Sequence, residues 1–337
     1  MNQQITGEIY MQKKAIIAMS GGVDSSVAAY LMVKDGYDCA GATLKLYDNP
    51  QCSYPGHRAC CTPSDTEDAR SVAARLGMLY YVFPMQEKFH QSVIDMFADT
   101  YLHGGTPNPC IDCNRFLKFS ALLDKARELG CEYIASGHYA RREQDPKTGR
   151  FLLRKGLDPT KDQSYVLYAM TQDQLAHTLF PLGTYTKKEI REIAQEQGFI
   201  NADKPDSQDI CFVPDGDYAT FIEQYTGQPS EPGDFVDKEG KVLGRHNYCY
   251  INDINLIPWD HLDKPIQCKV KTRYRQPEQP ATVEQLGEDL IRITFQEPQR
   301  AVTPGQAAVL YDGDMVLGGG TILSEEAAQT LCKINEK

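Results

Sequence analysis

Two groups of residues in this chain have the types and spacing to do chemistry. The first is the run Ser20-Gly21-Gly22-Val23-Asp24-Ser25. Adjacent glycines let the backbone curl so that successive N–H groups point into one hollow, which binds an anion without a side-chain cation. The lysine of a G-x-x-x-x-G-K-[ST] loop, which reaches the terminal phosphates in γ-phosphoryl transfer, is absent. Hydroxyls stand at both ends instead, with Asp24 between them. The second group is built on cysteine. Thr106-Pro107-Asn108-Pro109-Cys110-Ile111-Asp112-Cys113-Asn114-Arg115 is a proline-stiffened turn with a C-x-x-C that enters a helix, and Asp206-Ser207-Gln208-Asp209-Ile210-Cys211-Phe212 is a loop with one more cysteine. A helix N-terminus favours the thiolate, the nucleophilic form of the side chain.

The elements that must position these groups alternate between strand and helix from residue 14 to about residue 200, which predicts a doubly wound α/β domain. Lys14–Met19 is a short apolar run suited to a buried strand, and Ser26–Met32 has the composition of a helix packing back on a sheet. The loop thus joins a strand to a helix N-terminus, whose positive end adds to the anion site. Further strands are expected near Asp38–Leu46, Met78–Phe83 and Glu132–Ser136. Helices are expected over Gln86–Leu102 and Phe116–Leu129. Two more follow the capping boxes Ser64-Asp65-Thr66-Glu67 and Thr186-Lys187-Lys188-Glu189, closed by Gly77 and Gly198. Ligands of such folds bind beyond the carboxyl ends of the strands. Gly137-His138 follows one of those ends, which puts His138 in the crevice of the phosphate loop.

From Gln228 to Asp263 the chain is rich in Pro, Gly, Asp and Asn, with no clear period. From Pro265 onward the short runs Gln267–Tyr274, Ala281–Leu286, Leu290–Phe295, Ala307–Tyr311 and Met315–Ile322 predict a small antiparallel β-barrel. The expected organisation is a catalytic domain over 1–205, a short central segment over 206–264 that carries Cys211, and a barrel over 265–325.

No apolar run reaches the roughly 20 residues of a membrane span, and the N-terminus lacks the charged and apolar segments of a secretory signal. Eleven cysteines, an odd number, then point to reduced, catalytic or metal-binding thiols and a cytoplasmic location rather than a disulfide scaffold. A net charge of −11 weighs against nucleic acid as a partner on average. One patch runs the other way: Lys269, Lys271, Arg273 and Arg275 alternate at strand spacing and would share a face. Cys52, His57, Cys60 and Cys61 cluster without a zinc-like spacing. Cys39, Cys131, Cys249, Cys268 and Cys332 sit in strand-like or tail contexts and read as packing residues.

The S-G-G-x-D-S loop resembles the pyrophosphate loop (PP-loop) of the ATP pyrophosphatase superfamily, whose fold is adenine nucleotide alpha hydrolase-like. That resemblance implies cleavage of ATP between the α- and β-phosphates, transfer of AMP, and Mg²⁺ held with the help of Asp24. Seven motifs then occur in one order: the loop, T-P-N-P-x-x-x-C-N, S-G-H-Y-A-R, K-D-Q-S-Y, D-S-x-x-I-C-F, K-x-R-Y-R-Q and T-P-G-Q-x-A-V-x-Y. The series closely resembles the tRNA-specific 2-thiouridylases (the MnmA/TrmU family) across most of residues 14–225 and 265–323.

The resemblance implies a tRNA sulfurtransferase that 2-thiolates uridine 34 of the anticodon arm. It places ATP on Ala18, Met19, Ser20, Gly21, Gly22, Val23, Asp24 and Ser25, with Leu44 and Gly137 lining the adenosine site. Cys211 accepts sulfur as a persulfide from a sulfur-relay donor protein or cysteine desulfurase, and Cys113 is the nucleophile that releases it or closes a disulfide with Cys211. His138 falls beside the reacting centre, and Asn108, Pro109 and Cys110 at the target base. Lys161-Asp162-Gln163, Arg273-Tyr274 and Gln306 match positions that touch the tRNA. Many family members carry aspartate in place of Cys110. Here Cys110, Cys113 and Cys211 make three thiols, a set that suits a [4Fe–4S] cluster as in related cluster-dependent tRNA thiolases, with zinc the plainer alternative. The family's longer middle domain is shortened, since Gly240–His246 runs almost at once into the barrel. Two other classes share some of these parts: a superfamily amidotransferase or synthetase, and a non-catalytic RNA-binding iron–sulfur protein.

Overall fold

Unbroken burial of Ala15, Ile16 and Ile17 along Lys14–Ala18 (β1) marks the central strand of a sheet covered on both faces. Ile16 faces one apolar layer, and Ala15 and Ile17 face the other. The computed structural model describes residues 12–47, 63–205, 210–213, 216–227, 245–300 and 302–335. β1 pairs with Asp38–Lys45 (β2) on one side and Tyr133–Ser136 (β4) on the other; Leu79–Pro84 (β3) and Thr178–Leu179 (β7) form the edges. The order is β3-β2-β1-β4-β7, every pairing parallel.

Helices Val23–Lys34 (α1), Pro63–Arg75 (α2) and Lys187–Glu196 cover one face through Val27, Ala69 and Ile190. The other face carries two long irregular helices. One runs as Gln86–Phe89, His90–Ile94 and Asp95–Leu102, the other as Pro109–Asp112, Cys113–Ala121 and Leu122–Glu128, and each is π-helical in its middle stretch. The doubly wound expectation holds. α1 begins three residues earlier than composition suggested, with Gly22 at its N-cap, so Asp24 and Ser25 belong to its first turn.

The second sheet is antiparallel. Arg245–Leu256 (β8), Ile266–Lys271 (β9), Gln279–Gly287 (β10), Leu290–Arg300 (β11), Ala307–Asp312 (β12) and Met315–Ile322 (β13) run in the order β12-β9-β10-β11-β8-β13, and β12 pairs with β13 to close a six-stranded barrel. β12 shows how the barrel docks. Ala308 and Leu310 point into the barrel core, while Ala307, Val309 and Tyr311 join the apolar layer of the α/β domain. Sequence reading missed β8 because Asn247, Asn252, Asp253 and Asn255 dilute its alternation; Cys249, Ile251 and Leu256 are its buried positions.

It also missed a hairpin. Ala140–Gln144 (β5) and Phe151–Lys155 (β6) leave the end of β4 and extend the barrel sheet, with Leu153 opposite Val316 and Arg154 opposite Met315. Arg141 and Arg154 both bond the Asp314 carboxylate at 2.7 Å. The basic face predicted for Gln267–Tyr274 is shorter than expected: β9 ends at Lys271, and Arg273 and Tyr274 lie in the turn beyond it. Cys52, His57, Cys60, Cys61 and Asp206–Asp209 lie outside the described residues. Among the described residues no helix is long and apolar enough to cross a membrane.

Candidate active site

The phosphate loop leaves β1 and is locked from three sides. Gly21 has φ 76°, in the left-handed region, and a Cβ there would collide with the Asp65 carbonyl in the first turn of α2. The Gly22 carbonyl accepts bonds from the Ser25 and Ser26 hydroxyls, each at 3.0 Å, and the Ser25 oxygen accepts the Ser20 N–H at 3.3 Å. The Ser25 hydroxyl thus braces the loop across its own mouth. Gly137, at the end of β4, presses on the third side: a Cβ there would stand 2.8 Å from the Ser25 nitrogen.

The loop lacks a lysine of its own, but the fold brings two. Lys187, the first residue of its helix, places Nζ 2.8 Å from both carboxylate oxygens of Asp24, and the Tyr139 hydroxyl donates to the same carboxylate at 2.7 Å. Lys204 donates to the Gly21 carbonyl at 3.3 Å and to Asp65 and Asp68. Burial pulls the Lys204 ammonium down, and its two carboxylate partners more than offset that, so its pKa is raised. Asn201, 3% exposed, donates to the Gly21 carbonyl and the Ser26 hydroxyl at 2.9 Å. These bonds hold the Gly21 carbonyl to the side chains of Asn201 and Lys204. Sequence reading assigned none of these four residues to the site, although Lys187 stands in a capping box and Tyr139 in S-G-H-Y-A-R.

The thiols come next. Pro109 occupies the first helical position and Asn108 the N-cap, so the C-x-x-C lies inside the helix rather than ahead of it. Cys110 is exposed. Cys113 is buried in the layer that holds Leu44, Leu46, Phe89 and Ile111. Cys211 packs, half-buried, against the same layer; the Tyr47 hydroxyl, just past β2, donates to its carbonyl at 3.2 Å. The Phe212 ring meets Phe89 and Phe97 at 5.7 and 5.1 Å. Both cysteine segments therefore meet in one apolar layer with residues from the carboxyl end of β2. Cys113 and Cys211 are not joined by a disulfide. Among the described residues no three His, Cys, Asp or Glu side chains stand together as a metal-binding set. As placed, exposed Cys110, buried Cys113 and half-buried Cys211 do not form a ligand set for a [4Fe–4S] cluster or a zinc ion.

His138 stands between the loop and the thiol helix. Its Nδ1 lies 2.9 Å from the Ser136 hydroxyl and its ring packs on Phe119 at 5.5 Å. Burial, aided by the Lys118 charge, pushes its pKa down to about 3, so the imidazole is neutral at any working pH. Asp112, between the two thiols of the turn, behaves oppositely. Burial holds its carboxyl up at about 7, with Arg115 lowering it and Asp253 raising it. Burial likewise pushes the Cys39, Cys249 and Cys268 thiols up to about 12, which suits inert packing residues.

Two of the sets matched to tRNA contacts meet in space. The Tyr274 hydroxyl donates to the Asp162 carbonyl at 3.0 Å, and Lys271 lies over the Tyr274 and Tyr165 rings. The Asp162 carboxylate accepts from Gly156, from the Ser164 N–H and from the Ser164 hydroxyl; Gln163 accepts the Tyr139 N–H. Lys161 is half-buried, Arg273 and Tyr274 are exposed, and Gln306 is buried with its amide on the Thr106 and Pro107 carbonyls. Cys110 lies near enough to Tyr274 to act on its hydroxyl electrostatically, so the exposed basic turn adjoins the C-x-x-C.

Residues 13–215 match the family described as "tRNA methyl transferase HUP domain", and residues 246–322 the one described as "Aminomethyltransferase beta-barrel domain". The chain is 44% identical to the tRNA-specific 2-thiouridylase MnmA of Clostridioides difficile (strain 630), over 93% of this chain and 99% of that protein. It is 45% identical to the MnmA of Moorella thermoacetica over 92% and 99% of the two chains. For Carboxydothermus hydrogenoformans the identity is 43%, over 94% and 99%. With a lysine-free phosphate loop, two cysteine segments in one apolar layer and relatives matched end to end, this chain belongs to the tRNA-specific 2-thiouridylase family.

Proposed function

We propose that the chain is an ATP-dependent tRNA sulfurtransferase that converts the wobble uridine, U34, to 2-thiouridine in the cytoplasm. The observation that supports this reading best is the convergence of the Cys113 and Cys211 segments on one apolar layer of the sheet that carries the phosphate loop. The C2 oxygen of uridine is a poor leaving group. Its attack on the α-phosphorus of ATP, seated on Ser20–Ser25, forms a C2–O–P bond and expels pyrophosphate. Asp24, whose carboxylate faces Lys187 and Tyr139, would hold a Mg²⁺ ion, which would supply charge neutralisation at the phosphate oxygens.

The terminal sulfur of a Cys211 persulfide, loaded by a relay protein or a cysteine desulfurase, attacks C2, and AMP leaves with the original oxygen. Cys113 Sγ then attacks Cys211 Sγ. The S–S bond to the substrate breaks, its electron pair stays on the base as the thiocarbonyl, and the two cysteines are left as a disulfide that an external thiol reduces. Neutral His138, bonded to Ser136, presents a dipole rather than a charge beside the reacting carbonyl. The target base must leave its stack, which is easiest at an unpaired anticodon position. The exposed turn of Arg273 and Tyr274, with Lys271, offers the phosphate backbone a local positive surface on an acidic protein.

The test is reconstitution with an unmodified tRNA transcript, ATP and a persulfide donor, read by nucleoside mass spectrometry and pyrophosphate release. Cys211→Ser is expected to abolish 2-thiouridine while tRNA-dependent pyrophosphate release persists. Full thiolation by that variant would sink the reading.

A further inference from the structure

The barrel grips the C-x-x-C turn from both sides, just before it and just after it. Upstream, the Gln306 amide donates to the Thr106 carbonyl at 2.9 Å and to the Pro107 carbonyl at 3.2 Å, and the Thr106 N–H donates to the Pro304 carbonyl at 2.9 Å. Gln306 is only 9% exposed. Downstream, Arg115 stands two residues beyond Cys113 and makes a two-pronged ion pair with Asp253 of β8, with Nη2 2.8 Å from Oδ1. Bidentate pairing of this kind fixes orientation as well as distance.

Asp253 carries a second sign of purpose. It is the one non-glycine residue among those described with positive φ, at 50°, and it lies where the register between β8 and β13 shifts. A bulge with such a residue re-aims a side chain at a conformational cost. Here the carboxylate is aimed at Arg115. Just ahead of the downstream anchor the helix departs from α geometry at Cys113, and it stays π-helical to Ala121. That geometry is uncommon and concentrates at functional sites.

We infer that the barrel serves as the jig for the thiol turn: Gln306 and the Arg115–Asp253 pair are positioning residues that hold Cys113 in reacting register with the phosphate loop. The inference rests on the reading of Cys113 as the thiol that acts. Misplacing a reacting group by about 1 Å costs on the order of a hundredfold in rate, so anchors on both sides of the thiol matter more than their number of bonds.

Three full-length variants test it. Gln306→Glu is isosteric but puts an oxygen where the donating amide was. Asp253→Asn keeps a side chain that tolerates positive φ and drops the charge. Arg115→Lys keeps the charge and loses the fork. Iodoacetamide labelling of tRNA-free protein, read residue by residue by mass spectrometry, should show Cys113 labelled several-fold faster in the first two variants. Cys211 labelling should match wild type, with melting midpoints close to it. In turnover assays kcat should fall roughly 10–100-fold with KM for ATP and tRNA unchanged, and Arg115→Lys should recover part of the loss. If Asp253→Asn does not fold, Gln306→Glu carries the test alone. Wild-type Cys113 labelling in that variant, or a raised KM for tRNA with kcat intact, overturns the inference and makes Gln306 a tRNA contact. Labelling needs no turnover, so it can fail while the thiolation activity of the wild-type protein stands.

Discussion

Asp112 keeps a proton that an unfolded chain would have lost. Its ordinary value is 3.8 and burial lifts it to about 7 in the fold. Between those values the native state binds the extra proton, so this group lowers stability as pH rises through the window and adds no slope above it. Asp112→Asn should flatten that limb: urea midpoints measured from pH 4 to 8 should fall less with pH in the variant than in wild type. Identical slopes would mean that the carboxyl ionises normally. At this scale the sequence exposed some chemistry and hid the rest. The glycine pair, the C-x-x-C and Cys211 declare themselves by type and spacing. Lys187, Asn201 and Lys204 do not, because each meets the loop across more than 160 residues of chain, and a lone lysine or asparagine carries no local pattern.

Among the elements, the helix Lys187–Glu196 was legible at its start. Thr186 caps it, with the Thr186 hydroxyl taking the Glu189 N–H and the Glu189 carboxylate taking the Thr186 N–H. The box does more than stabilise a helix here, since Lys187 follows at once. Thr186→Ala should cost about 1 kcal/mol and also weaken ATP binding in calorimetry, as Lys187 loses its fixed approach to Asp24. Thr171→Ala is the control. It breaks a like capping box on the short helix Gln172–Ala176 and should lower stability without touching ATP affinity. Equal ATP affinities in both variants would separate Lys187 from the site. The thiol helix was less legible at its start. Two prolines around Asn108 read as a turn, yet Pro109 at the first helical position lacks only an N–H that the helix could not have used.

On the scale of the molecule, the doubly wound domain and the barrel could be read from strand–helix alternation and from evenly spaced short runs. The join between them could not. β5 and β6 interrupt a parallel domain with an antiparallel hairpin whose partner, β13, is encoded far downstream. No window of sequence contains both. Val309, Tyr311 and Val316 of the barrel also share one apolar layer with Leu117, Leu153 and Tyr165, so cutting the chain before β8 strips cover from the catalytic half. A fragment ending at residue 244 should melt with low cooperativity and bind a hydrophobic dye, whereas the full chain should unfold in one transition. A sharply melting fragment would show that the halves are independent.

The same pairing bears on how the protein is born. When β6 leaves the ribosome, the strand that will lie beside it has about 160 residues still to be translated, on the order of ten seconds of synthesis. Through that interval its outer edge offers unpaired N–H and C=O groups to any passing strand. Newborn chains are thus most exposed to aggregation and to chaperone capture midway through their own synthesis.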